Sequence, residues 1–209
     1  MYQVLKCNVT ILAFAFFTCC AHASSSNILF SQTTEDENPM PGQDLPSKAM
    51  VQSILRGSDL SKDEQEAMQA QREYLDSCLS TQKPKSSRRY ETMFRSAPLP
   101  KTEGMNPAFF VRPATEPFCG AFYGAHLFQF WIMTASGEII FHSGADMVTV
   151  FKTLNNGRPD LEVQNCTVDS CWISLMVFDG TSYKPQKCQK TTFGKNGKEH
   201  TTRISCRNH

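Results

Sequence analysis

The sequence has little excess of either charge and no long apolar run. Its 21 Lys and Arg stand against 20 Asp and Glu, and its mean hydropathy is −0.36. A near-neutral balance argues against a protein that neutralises nucleic-acid phosphate or an anionic membrane, since that work needs a cationic surplus on one face. Chemical signatures are missing as well. There is no C-x-x-C pair, no G-x-S-x-G elbow, no phosphate loop and no dinucleotide fingerprint. Carboxylates at a fixed separation, as glycoside hydrolysis needs, are not apparent either. No cofactor and no metal is therefore expected. What the chain does have is nine Cys in 209 residues. That density fits a disulfide-stapled exported protein, a metal site or a redox protein, and position decides among them.

Residues 1–23 read as a signal peptide. Lys6 gives a positive start, Val9 to Cys20 is apolar but too short to span a bilayer, and Ala21-His22-Ala23 supplies small residues for cleavage. Cys7, Cys19 and Cys20 leave with it, and so does Lys6, bringing the net charge to zero. Six Cys remain: Cys78, Cys119, Cys166, Cys171, Cys188 and Cys206. The expected setting is periplasmic or secreted, with a bacterial envelope as the natural home and no integral membrane segment after cleavage.

Residues 24–46 are polar, acidic and interrupted by Pro39, Pro41 and Pro46, so they read as a flexible leader. A helical segment follows over 47–82. Ser47 caps a short helix with Met50, Val51, Ile54 and Leu55 on one face and Gly57 as its stop. A second helix is predicted from the capping box Ser61-Lys62-Asp63-Glu64 to about Thr81, its stripe including Ala67, Met68, Leu75, Cys78 and Leu79. Residues 83–117 are Pro-rich and carry the basic cluster Lys83, Lys85, Arg88 and Arg89, which gives a linker or surface loop. Residues 118–209 form a β-rich domain of short apolar runs cut by turn residues: 118–123, 126–133, 138–142, 147–152 and 172–178, then hairpins at Asp179-Gly180 and Gly194 to Gly197. The fold class that results is α+β: two N-terminal helices plus a C-terminal antiparallel β-rich domain, disulfide-stapled.

Cys166 and Cys171 enclose a tight turn, and Cys188 and Cys206 flank the last hairpin. Pairing each across its turn leaves Cys78 with Cys119, so the expected bridges are 78–119, 166–171 and 188–206, each contributing roughly 2 to 4 kcal/mol. Asn165-Cys166-Thr167 also matches the N-x-[ST] pattern.

The stretch Val148 to Lys184 holds Asn156-Gly157-Arg158-Pro159-Asp160-Leu161 and Phe178-Asp179-Gly180-Thr181-Ser182-Tyr183. These resemble the "NGxPDL" turn and "FDGxxY" hairpin of a loose group of small exported bacterial domains of uncharacterised periplasmic type, over residues 119 to 188. The resemblance implies a fold and not a job. Asn155 to Leu161 is also similar, distantly, to the calcium-loop strands of integrin-type propeller repeats. Those loops need alternating acidic ligands, and here only Asp160 has a carboxylate.

The leading expectation is a non-enzymatic binding module that recognises another exported or envelope protein, of the inhibitor, immunity or accessory-subunit kind, with Phe122, Tyr123, Trp172 and Tyr183 as aromatic anchors. One alternative is a secreted cysteine hydrolase or amidase using Cys119 with His126 or His142. A second is a secreted effector or surface protein meeting a host.

Overall fold

The computed structural model describes residues 27–34, 39–57, 90–115, 122–123, 127–194 and 197–206. Two antiparallel sheets dominate. The four-stranded sheet is a meander in the order β2-β3-β4-β5: β2 (Phe94–Pro98), β3 (Ala108–Pro113), β4 (Phe128–Thr134) and β5 (Ile139–Ala145). The six-stranded sheet has the order β1-β6-β7-β8-β9-β10: β1 (Ile28–Thr33), β6 (Met147–Asn155), β7 (Arg158–Cys166), β8 (Ser170–Phe178), β9 (Tyr183–Phe193) and β10 (Glu199–Ile204). The chain passes from one sheet to the other through a single residue, Asp146. Its N–H donates to Gln164 O, its carbonyl accepts from Thr34 N–H, and its carboxylate accepts from the Cys166 N–H.

Apolar residues of both sheets meet in one core that includes Phe30, Phe110, Phe128, Phe130, Ile132, Val148, Val150, Leu161, Met176, Phe178 and Tyr183. The other face of the four-stranded sheet is covered by α1 (Lys48–Arg56), whose Met50, Val51, Ile54 and Leu55 pack on Phe94, Val111, Trp131 and Met133. This is why β4 reads FQFWIMT with hardly a polar break: Phe128, Phe130 and Ile132 point into the sandwich, while Trp131 and Met133 point at the helix. Helix α1 begins where Ser47 Oγ accepts from Met50 N–H, and ends at Gly57 in the left-handed conformation. Across the core, Arg112 of β3 is buried. Its Nη1 donates to Gln32 Oε1 (2.9 Å) and Thr33 O (2.8 Å) of β1, and its guanidinium lies 4.4 Å from the Phe128 ring centre.

The α+β reading with two N-terminal helices and a separate C-terminal sheet domain is thereby corrected to a β-rich two-sheet structure with one α-helix among the described residues. Two segments explain the difference. Residues 28–33, read as part of a flexible leader, form β1 by antiparallel pairing with β6, from Ile28 opposite Phe151 to Thr33 opposite Met147. Residues 94–98 and 108–113, read as Pro-rich linker, form β2 and β3. Their prolines delimit strands instead of forbidding them: Pro98 and Pro113 end β2 and β3, and Pro107 precedes β3. The second helix expected over 61–81, the basic cluster at 83–89 and residues 1–23 lie outside the described residues. Of the strand expected over 118–123, only 122–123 are described, and Tyr123 makes an isolated antiparallel bridge with Phe128.

Candidate docking surface

Two cysteine pairs are bridged among the described residues. Cys166–Cys171 closes the β7–β8 hairpin, and Cys188–Cys206 ties β9 to the residues just after β10. The pairing of Cys78 with Cys119 lies outside the described residues. Two disulfides suggest an oxidising, exported environment, and among the described residues no helix is long and apolar enough to cross a membrane.

The four aromatic residues expected as anchors are dispersed. Phe122 is buried beside Phe94 and Trp131 under α1. Tyr123 is half-buried, and its hydroxyl lies 3.1 Å from Ala114 O. Tyr183 is buried in the sandwich, where its hydroxyl donates to Pro159 O (2.9 Å) and burial pushes its ionisation well above the usual range. Trp172 is also half-exposed but, unlike Tyr123, is not packed on the core, and the Lys190 ammonium lies 4.7 Å from its ring centre. Hence three of the four serve packing.

The segments carrying the two sequence motifs do meet. Asn156 Nδ2 donates to Phe178 O (2.8 Å), Tyr183 reaches Pro159, and the Arg158 guanidinium lies 5.2 Å from the Phe178 ring centre. The Asp160 carboxylate accepts both its described contacts from Asn155 Nδ2 at 2.8 Å, and burial raises its pKa despite them. Of the hydrolase alternative, Cys119 and His126 lie outside the described residues. His142 stacks flat on Trp131, ring centres 5.0 Å apart, with Nε2 2.9 Å from Gln129 Oε1. Asn165 of the N-x-[ST] pattern lies inside the β7–β8 ladder opposite Trp172, and its side-chain nitrogen, in the orientation that satisfies it, faces Gln164 O and Gly144 O. Among the described residues no three His, Cys, Asp or Glu gather as metal ligands.

A different residue emerges at the surface. Val168, at the tip of the β7–β8 hairpin, is 99% exposed. The loop under it is braced on every side. Cys166 and Cys171 pair directly across the ladder and are joined by the disulfide, and Thr167 N–H donates to Ser170 O (2.7 Å). Thr167 Oγ1 donates to Asp169 Oδ1 (2.7 Å), which holds the Asp169 carboxyl below its ordinary pKa. Asp169 O in turn accepts from Phe193 N–H (2.9 Å), binding the loop to the end of β9, where Phe193 is itself exposed. The sequence held a signal for this: a β-branched apolar residue between polar ones, inside a four-residue loop closed by Cys. Compared with protein-family models, curated proteins and solved structures, the chain matches none.

Proposed function

We propose that the protein is an exported binding module that docks onto another envelope or secreted protein through the Cys166–Cys171 loop. The carrying observation is a fully exposed Val168 on a loop braced by a disulfide, two local hydrogen bonds from Thr167 and a main-chain tie to Phe193. An apolar side chain held in water by a rigid support gains from leaving water and loses little conformational freedom on doing so, which is the economy of a preorganised contact. Phe193, whose N–H the loop holds, is a second exposed apolar residue, and Asp169 next to Val168 in the loop supplies a fixed negative charge that gives the contact direction. The complementary socket on the partner is small and aliphatic, flanked by a donor or cation.

The test pairs capture with a point change. The mature chain is immobilised against the envelope and secreted fractions of its own source and compared with Val168→Asp and with Thr181→Asp, a control on the neighbouring hairpin. A protein retained by the wild type and the control but lost by at least tenfold with Val168→Asp is the expected result. Equal retention by Val168→Asp would overturn the reading. Val168→Asp is expected to leave stability within about 0.5 kcal/mol, because no packing is removed.

A further inference from the structure

We infer that β10 is a self-pairing edge, through which two copies of this chain join their six-stranded sheets about a two-fold axis at Thr201. Strand β10 is the last strand of its sheet and pairs only with β9 among the described residues. Its main-chain directions follow from one bond. Gly194 N–H donates to Lys198 O (2.8 Å), so 194 and 198 form a hydrogen-bonded pair, and the unbroken β9–β10 register continues it at 192 with 200 and 190 with 202. Antiparallel pairs alternate strictly, so Glu199, Thr201 and Arg203 turn their N–H and C=O groups away from β9, to the outer side of the strand. The side chains of residues 199–203 are all exposed.

Such an edge is a template for another strand unless something guards it, commonly a proline, a bulge or charged side chains. EHTTRI has no proline and its register with β9 no bulge, and the charged side chains it does carry select among partner strands. The two charges have opposite sign and stand four residues apart, symmetric about Thr201. In an antiparallel self-pair centred there, Thr201 faces Thr201 of the second copy, Glu199 faces its Arg203, and Arg203 faces its Glu199. This is also the register that sets the outward main-chain groups of both copies opposite each other as hydrogen-bonded pairs. A shift by one residue would put bonded groups against unbonded ones, and a shift by two would break both charge pairings. The occupant is thus a second copy, chosen by charge complementarity and by main-chain phase together. Thr201 is fixed on its own side by its hydroxyl contact with Thr191 (2.8 Å).

Sedimentation velocity on the mature chain, across a low- to high-micromolar series, tests this. A concentration-dependent dimer is expected. Glu199→Arg alone, or Arg203→Glu alone, sets like charges opposite each other twice and is expected to weaken the dimer by about tenfold or more. The double exchange, Glu199→Arg with Arg203→Glu, is expected to restore it. Thr201→Pro removes an N–H that faces away from β9 and bonds nothing among the described residues, a substitution an edge strand tolerates, so the monomer keeps its circular dichroism spectrum while the dimer is lost. A monomer at every concentration overturns the inference. So does a dimer that is indifferent to Thr201→Pro, or one that the double exchange fails to rescue. Val168→Asp leaves the dimer intact if this edge is the interface, so failure of the docking loop and failure of the edge are separable.

Discussion

Single residues at the turns carry measurable chemistry. Asp179 opens the β8–β9 turn, and its Oδ1 accepts from the N–H groups of Ser182 and Thr181 and from the Thr181 hydroxyl, at 2.8 to 2.9 Å. Those donors, Ser182 first, lower its pKa from 3.8 to about 2. A carboxyl depressed on folding contributes stability that is complete above its unfolded pKa and is lost as pH falls through the folded one. Denaturation of wild type and Asp179→Ala is therefore expected to differ at pH 5 and to converge as pH falls from about 4 to about 2. Glycines permit a second comparison. Gly137 and Gly180 both have positive φ, 90° and 109°. A Cβ at Gly137 would lie 2.6 Å from Ala49 O of α1, whereas one at Gly180 meets nothing within 4 Å. Alanine at either site is expected to cost about 1 to 2 kcal/mol for the left-handed backbone. Gly137→Ala is expected to cost a further roughly 1 to 3 kcal/mol, because helix backbone must move. Urea melts of the two variants measure the difference. In sequence Phe122, Tyr183 and Trp172 look alike, each an aromatic residue next to apolar neighbours or a turn. Only the two-sided burial of the four-stranded sheet and the depth of the sandwich separate them.

Elements show which features a sequence exposes and which it hides. Both described disulfides and α1 were legible, since each is a local pattern: Cys flanking a turn, Ser and Gly bracketing one apolar face. Strands β2 and β3 were not, because prolines at their ends masquerade as loop, and β1 was not, because its partner is far along the chain. Pro159 and Pro185 hid parts of β7 and β9 in the same way. Their partners, Leu154 and Met176, stand beside the register shifts of the β6–β7 and β8–β9 ladders, where a missing N–H does least harm. Val168 escaped notice because exposure belongs to the fold. The disulfides also divide their labour. By chain entropy, Cys166–Cys171, five residues apart in sequence, contributes about 2 kcal/mol, and Cys188–Cys206, eighteen apart, about 3 kcal/mol. Replacing each pair with Ala is expected to lower stability in that order in chemical denaturation. Loss of docking is expected to follow the opposite order, since only the first pair braces Val168.

At the scale of the molecule, the two sheets are joined by the core, by Asp146 and by Arg112. The Arg112 bonds to Gln32 and Thr33 form a polar link between β3 and β1. Arg112→Leu keeps the apolar contact with Phe128 but leaves buried acceptors on β1, so a loss of about 1 to 3 kcal/mol is expected. Hydrogen exchange is expected to place the new mobility in β1, ahead of the rest of the six-stranded sheet. The whole-molecule arrangement was the least legible part of the sequence. Cysteine content and turn residues pointed to a stapled chain that is β-rich over 118–209, yet nothing local tells strands of one sheet from strands of the other or adds β1, β2 and β3 to them.

The place of β1 has a consequence in time. Every other strand of the six-stranded sheet neighbours one adjacent to it in sequence, but β1 sits beside β6, with Ser31 bonded to Thr149 across 118 residues. As a chain threads out N-terminus first, the earliest strand to arrive is among the last to find its partner. Its seat against Phe151 to Met147 does not exist until the four-stranded sheet and the turn at Asp146 have followed. Closure of the six-stranded sheet on that side is therefore a late, long-range step, slower than the chain of hairpins from β6 to β10 that precedes it. Until β1 docks, the outer side of β6 is open to any other extended segment within reach.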